Sequence, residues 1–253
     1  MMDLTGKVAL ITGGNGGIGL AMAGTLADAG AAIALVGRDC EKNAAAEASL
    51  SRDGVAAPMT ITGDMTDETS VSETMAQLDE RFGGIDILIN NAGSNDRKLP
   101  QEYALAEWNR LLGSNLTSAF LVSQAAYPLM VKRGGGKIVN IGSLMSIFGS
   151  PMSAPYAAAK GGVVQLTKSL ATAWASDNIQ VNAILPGWID TDMTVTAREQ
   201  VSGLNERVLA RTPAGRWGRP ADLGGAALFL CSKASDFVTG ISLPVDGGYS
   251  CAA

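Results

Sequence analysis

The sequence predicts a single-domain α/β protein: a doubly wound parallel sheet of about seven strands with helices on both faces. Three observations predict it. Short apolar runs rich in β-branched residues alternate with helical patterns along the whole chain. The first run leads directly into a glycine cluster that opens a helix. No Pro/Ser-rich spacer, internal repeat, like-charge block or low-complexity tract divides residues 1–253, so they read as one domain.

The first strand, 7–12 (KVALIT), is followed by Gly13, Gly14, Gly16, Gly17 and Gly19, and from Ile18 a helical pattern runs to Ala29 with Gly30 as stop signal. Strand, glycine turn and helix form a phosphate cradle. Glycines permit the tight turn, and the free N–H groups and positive dipole end of the helix face an anion. Further strands are read at 32–37, 57–63, 85–90, 136–141, 179–185 and 241–245, with helical patterns between them. Such an alternation implies right-handed crossovers and a sheet covered on both faces. Ligands of these sheets bind beyond the carboxyl ends of the strands, so Gly13, Asp64, Asn90, Ser143 and Pro186 are expected to converge on one cleft. Long helices at 105–131 and 155–175 are apolar on more than one face, which suggests burial against a partner subunit.

Composition narrows the function. At 47% hydrophobic, 253 residues bury a substantial core. A net charge of −5 argues against nucleic acid as a partner, since phosphate backbones demand clustered cations. No basic and apolar leader opens the chain, and no apolar run approaches the roughly 20 residues of a membrane span, so a cytoplasmic protein without a membrane partner is expected. Cys40, Cys231 and Cys251 fit free thiols. There is no histidine, which excludes a Ser-His-Asp hydrolase, a Cys-His protease and a histidine-bound zinc site; no metal is expected. Any general acid or base is Tyr, Lys, Asp or Glu.

Tyr156 and Lys160 stand one helical turn apart, thirteen residues after Ser143. The i, i+4 spacing puts phenol and ammonium on one helix face, where the positive charge favours the phenolate. Together these residues make a proton-transfer device for near-neutral pH.

These motifs and their order resemble the short-chain dehydrogenase/reductase family over essentially the whole chain: Thr12-Gly13-x-x-x-Gly17-x-Gly19, then Asn90-Asn91-Ala92-Gly93, Asn115, Ser143, Tyr156-x-x-x-Lys160 and Pro186-Gly187. The resemblance implies a Rossmann-like dinucleotide-binding and catalytic domain, and hydride transfer between a nicotinamide and a secondary alcohol or ketone. Tyr156 would be the general acid/base and Lys160 would depress its pKa and hold the nicotinamide ribose. Ser143 would hydrogen-bond the substrate oxygen, and Asn115 would hold a water that relays protons. The cofactor would lie on Gly13, Asn15, Gly17, Ile18 and Gly19, on Arg38, Asp64 and Met65, on Asn91, Ala92 and Gly93, and on Pro186, Gly187, Ile189 and Thr191, besides Tyr156 and Lys160. The family's NAD-selecting Asp aligns with Gly37 and its NADP-selecting Arg with Arg38, so NADP is favoured over NAD; Asp39 keeps NAD open. Met65 packs beside Asp64, Ile141 and Ile189 read more as core than as cofactor contacts, and Asp64 and Thr191 read equally as parts of helix caps.

Substrate is read from 94–99 and from a mobile lid at about 188–205, with Arg97 and Lys98 as receivers of a carboxylate. The stretch Arg211 to Gly218 and the C-terminal motifs are similar to the gluconate 5-dehydrogenase and 2-deoxygluconate 3-dehydrogenase branch, which implies a sugar acid or polyol. Alternatives are a 3-oxoacyl-carrier-protein reductase, for which only Lys132 and Arg133 offer a basic surface, a cyclic ketone reductase, and a non-catalytic nucleotide-sensing module. Relatives associate as dihedral tetramers, so a homotetramer is expected.

Overall fold

Seven parallel strands form one sheet in the computed structural model, which describes residues 2–51 and 56–252. They are β1 (Val8–Thr12), β2 (Ala32–Gly37), β3 (Met59–Thr62), β4 (Ile87–Asn90), β5 (Gly136–Ile141), β6 (Ile179–Pro186) and β7 (Ser242–Val245). Their order, β3-β2-β1-β4-β5-β6-β7, reverses between β1 and β4, the switch point at which such sheets open a crevice. Thr12 pairs with Val36 on one side and with Asn90 on the other, so the glycine turn leaves the sheet at its middle.

Both faces of β1 are buried, and alternate residues feed two cores. Ala9 and Ile11 join Met22, Leu26, Leu223 and Leu230, contributed in part by helices α1 (Gly17–Asp28) and α9 (Gly224–Cys231). Val8 and Leu10 join Leu78, Val122, Met130 and Leu170 from α3 (Glu68–Phe82), α5 (Ser118–Lys132) and α6 (Ala154–Trp174). The remaining helices are α2 (Cys40–Leu50), α4 (Leu105–Leu112), α7 (Asp192–Gln200) and α8 (Leu204–Arg211). The expected doubly wound sheet is therefore the observed one. No helix among the described residues is long and apolar enough to cross a membrane.

Two local features depart from the sequence reading. The helix expected across 105–131 is interrupted by one π-helical turn, Gly113–Thr117, between α4 and α5. Such turns place one extra residue in the helix and recur at functional sites. The strand expected from 85 begins at Ile87, and the Asp86 carboxylate just before it accepts from Lys7 Nζ (2.8 Å), Val8 N (3.0 Å) and an Arg133 guanidinium nitrogen (2.7 Å). This 4% exposed carboxylate ties α5, β1 and β4 together at the sheet end away from the crevice.

Candidate active site

The glycine turn is held by its neighbours' polar groups. Thr12 Oγ1 accepts from the N–H groups of Asn91 and Ala92 (both 3.0 Å), and Asn91 Nδ2 donates to the carbonyls of Thr12 and Gly13. Gly13 adopts φ +59°, and a Cβ there would stand 3.0 Å from Ala92 Cα. A Cβ at Gly19 would stand 2.5 Å from both Asn91 Nδ2 and the Gly13 carbonyl. Gly19 is thus a close-packing residue behind the turn and does not line the cleft, a correction to its expected cofactor contact. The side chain of Asn91 is likewise spent on the turn, although the residue lines the cleft. Gly16 caps α1 without a side-chain hydrogen bond, so the first-turn N–H groups are left for an anion.

Beyond the strand ends lies a cleft of about 1880 Å³, larger than the roughly 300–1,000 Å³ of pockets for a single drug-sized ligand, so a dinucleotide and a second molecule fit together. Its walls include Gly13, Asn15, Gly17, Ile18, Arg38, Asp64, Met65, Asn91, Ala92, Gly93, Asn115, Ser143, Tyr156, Lys160, Pro186, Gly187, Ile189 and Thr191. Gly19 aside, the residues expected to hold the cofactor and do the chemistry meet in one cleft, whereas Asn90, expected there too, is buried behind it with its amide on Ala119, Ser123 and Asn140.

At its centre Ser143 follows β5 and caps a single short turn: its Oγ accepts from Met145 N (3.1 Å), and its N–H donates to Ser146 Oγ. Ser146 Oγ in turn donates to the Lys160 carbonyl (2.8 Å), locking this turn to α6. Lys160 is 4% exposed, donates to the Ile141 carbonyl (2.7 Å) and lies 5.6 Å from the centre of the Tyr156 ring. Burial pulls its pKa down to about 8. Burial also pushes the Tyr156 phenol up, opposed by the Ser143 hydroxyl and the charge of Arg97. Arg97, missed as an influence on the phenol, thus adds its charge to that of the nearby Lys160 ammonium.

The π turn explains Asn115. It puts this buried residue between α4 and α6, where Nδ2 donates to the carbonyls of Ser94 (2.8 Å) and Leu111 (2.9 Å) while Oδ1 has no protein partner. A Cβ at Gly93 would stand 2.5 Å from Asn115 Oδ1 and 3.6 Å from Lys160 Nζ, so these two groups share the pocket that glycine leaves.

At the adenosine end, Arg38 is well exposed and pairs at 3.9 Å with Asp64. Two hydrogen bonds from Thr66 and the charge of Arg38 hold the Asp64 carboxyl below the usual carboxylate range, although burial acts against them. Asp39 caps α2, accepting from the N–H groups of Glu41 and Lys42 (both 3.0 Å). Sequence reading missed Lys42, which lines this end, and Asn43, buried at 2% exposure, whose partners lie on three other segments.

On the substrate side the two expected cations part company. Lys98 is ion-paired with Glu107 of α4, whereas Arg97 is half-buried in the cleft wall with neither a carboxylate nor a hydrogen-bond partner among the described residues. Burial lowers its pKa. Arg211, also missed, lines the cleft with its guanidinium 4.5 Å from the Tyr249 ring centre and 5.0 Å from that of Phe148. The segment expected at 188–205 is a helical pair, α7 and α8, that continues to Arg211. It is pinned by Thr194 Oγ1 to the Ile189 carbonyl (2.6 Å) and packed through Ala197, Leu204 and Val208 on Trp188 and Trp217.

A family model described as enoyl-(acyl carrier protein) reductase matches residues 13–250. Gluconate 5-dehydrogenase of Gluconobacter oxydans is 42% identical over 250 residues, covering 98% of this chain and 96% of its own. The 2-dehydro-3-deoxy-D-gluconate 5-dehydrogenase of Bacillus subtilis is 43% identical, covering 98% and 96%. The crystal structure of a gluconate 5-dehydrogenase from Burkholderia cenocepacia in complex with NADP and tartrate superposes with a TM-score of 0.94 at 41% identity, over 100% of this chain and 98% of the other.

Proposed function

Since the chain belongs to the short-chain dehydrogenase/reductase family, an NAD(P)-dependent class of oxidoreductases, we propose that it interconverts a secondary alcohol and a ketone on a sugar acid, with NADP preferred. The observation that carries the substrate class is Arg97. A half-buried guanidinium without a partner among the described residues, beside the reacting tyrosine, suits a carboxylate, and planar bidentate pairing is what guanidinium offers one.

The residues present fit the cofactor. The uncapped first turn of α1 and the glycine turn suit a pyrophosphate, Arg38 suits a 2′-phosphate, and Asp39 is spent on capping α2, which leaves Asp64 at 3.9 Å as the carboxylate that Arg38 faces. Bound there, NAD(P) supplies or accepts the hydride.

The chain's own groups handle the proton. In reduction Tyr156 gives its phenolic proton to the carbonyl oxygen; in oxidation the phenolate takes it from the alcohol. Ser143, whose Oγ lone pair is engaged by Met145 N, donates its O–H to the same oxygen and stabilises charge building there. Lys160, aligned by the Ile141 carbonyl, adds its positive charge to the nicotinamide side of the cleft. Asn115 Oδ1 is the acceptor for a water that passes protons from Lys160 outward. The α7–α8 pair closes over substrate as a lid and keeps water from the hydride path.

A carrier-protein substrate fits less well, because Lys132 is paired with Asp79 and Arg133 with Asp86, leaving no free basic surface there for an acidic carrier. Exposed Leu105, Phe120 and Val131 on α4 and α5, with Phe237 fully exposed before β7, support the homotetramer, which light scattering tests against the 25.9 kDa monomer.

The test is NAD(P)H absorbance with purified protein and a panel of sugar acids, polyols, acetoacetyl thioesters and cyclic ketones. Turnover of a sugar acid, abolished by Tyr156→Phe, supports the proposal; activity confined to thioesters or cyclic ketones refutes the substrate class.

A further inference from the structure

Gly37 ends β2 at the position from which an acidic side chain binds the adenosine ribose hydroxyls of NAD. Its φ lies outside the left-handed region, so its backbone does not require glycine. Space does. A Cβ at Gly37 would stand 2.8 Å from Asn43 Oδ1 and 2.8 Å from Asn15 Cγ, and closer still to Asn15 Nδ2.

Those atoms belong to one hydrogen-bonded bridge. Asn15 Nδ2, in the glycine turn, donates to Asn43 Oδ1 on α2 (2.8 Å). Asn43 is fixed from its other end, where Nδ2 donates to the carbonyls of Gly37 and Ile61 (both 3.1 Å) and to Thr62 Oγ1 (3.3 Å). Asn15 can swing away only by leaving a buried acceptor unpaired, and Asn43 can move only by giving up its hydrogen bonds to β2 and β3.

We propose that the Asn15–Asn43 bridge is a specificity-determining element: it occupies the volume that an NAD-selecting carboxylate at position 37 needs, and so keeps the site on the 2′-phosphate that Arg38 receives. The proposal rests on the NADP reading. It also makes cofactor choice a property of three residues on three segments, so a single substitution does not reverse it.

Fluorescence titration with NADPH and NADH separates the possibilities without turnover. In the native background, Gly37→Asp weakens both cofactors and gains nothing for NADH. In an Asn15→Ala/Asn43→Ala background, the same substitution moves the affinity ratio toward NADH by roughly 10- to 100-fold, the scale of one charge-assisted hydrogen bond. Equal shifts in both backgrounds overturn the bridge's role, since independent sites add. Gly37→Ala is the smaller probe should the larger changes fail to fold: it is expected to raise both dissociation constants in the native background and to raise them less in Asn15→Ala, where only Asn43 Oδ1 still crowds the methyl group. Wild-type affinity for both cofactors in Gly37→Ala refutes the proposal. Tighter NADH than NADPH binding by the unaltered protein overturns the NADP reading and the selective role with it, an outcome distinct from equal shifts.

Discussion

Replacing Arg97 by methionine separates recognition from stability. The guanidinium is half-buried, has no ion pair among the described residues, and carries a pKa lowered by burial, so its charge is a cost to the folded protein. Methionine keeps much of the stem's packing and removes that cost, so the melting temperature stays level or rises. Hydrogen bonds to a charged group contribute about 1.5–3 kcal/mol. At about 1.4 kcal/mol per decade, Arg97→Met lowers kcat/KM for a sugar acid roughly 10- to 150-fold while a neutral polyol changes little. A second effect has a definite sign. Arg97 lowers the Tyr156 pKa, so its removal raises that pKa and moves the rise of the oxidation rate toward alkaline pH. Steady-state kinetics over pH on both substrate types, with differential scanning fluorimetry, checks all three. An equal loss on acid and polyol, or a clear fall in melting temperature, refutes the assignment of Arg97 to the carboxylate.

Asp86→Ala strands the charges of Lys7 and Arg133, both partly exposed, and is expected to cost about 2–3 kcal/mol, or roughly 4–10 °C of melting temperature, in calorimetry. The native Asp86 pKa lies below its ordinary value despite burial, so its stabilisation is present above the unfolded-state pKa and is lost as pH falls through the folded-state one; Asp86→Asn flattens that acid limb. Lys160 in the cofactor-free protein titrates near pH 8, which NMR of isotope-labelled lysine checks; a titration above pH 10 contradicts the burial described. Gly93→Ala puts a methyl group 2.5 Å from Asn115 Oδ1, and with near-wild-type circular dichroism its kcat falls on the order of 100-fold, the effect of a shift of about 1 Å at a reacting centre.

Much of the site is legible in the sequence because each part sits at the end of an apolar run. Thr12, Asn90, Ser143 and Pro186 end or follow strands whose hydrophobicity marks them, and parallel topology gathers strand ends. What escapes is set by contacts between distant segments. Asn15 meets Asn43 across 28 positions, and nothing local to either residue signals it. Lys98 and Arg97 look equivalent as neighbours, but Glu107 on α4 takes only one of them. The Tyr156–Lys160 spacing correctly places both on α6, yet it shows neither the Lys160 bond to the Ile141 carbonyl nor the charge that Arg97 brings to the phenol from a distant loop. Gly19 carries the motif, but its role lies behind the turn. The apolar pattern at 105–131 has more than one face because two helices out of phase are joined there.

That joint makes chain length count for more than composition in this stretch. A Cβ at Gly113 meets nothing within 4 Å, so side-chain changes there are sterically cheap. Losing one residue from 113–117 is not, because regular α spacing turns everything beyond the deletion by about 100° per residue. Either Asn115 leaves the space it shares with Lys160 or Val122, Ala126 and Met130 of α5 rotate out of the core. Homologous genes with this chemistry are therefore expected to vary in spelling at codon 113 while keeping the number of codons from 113 to 117, and to gain or lose codons elsewhere.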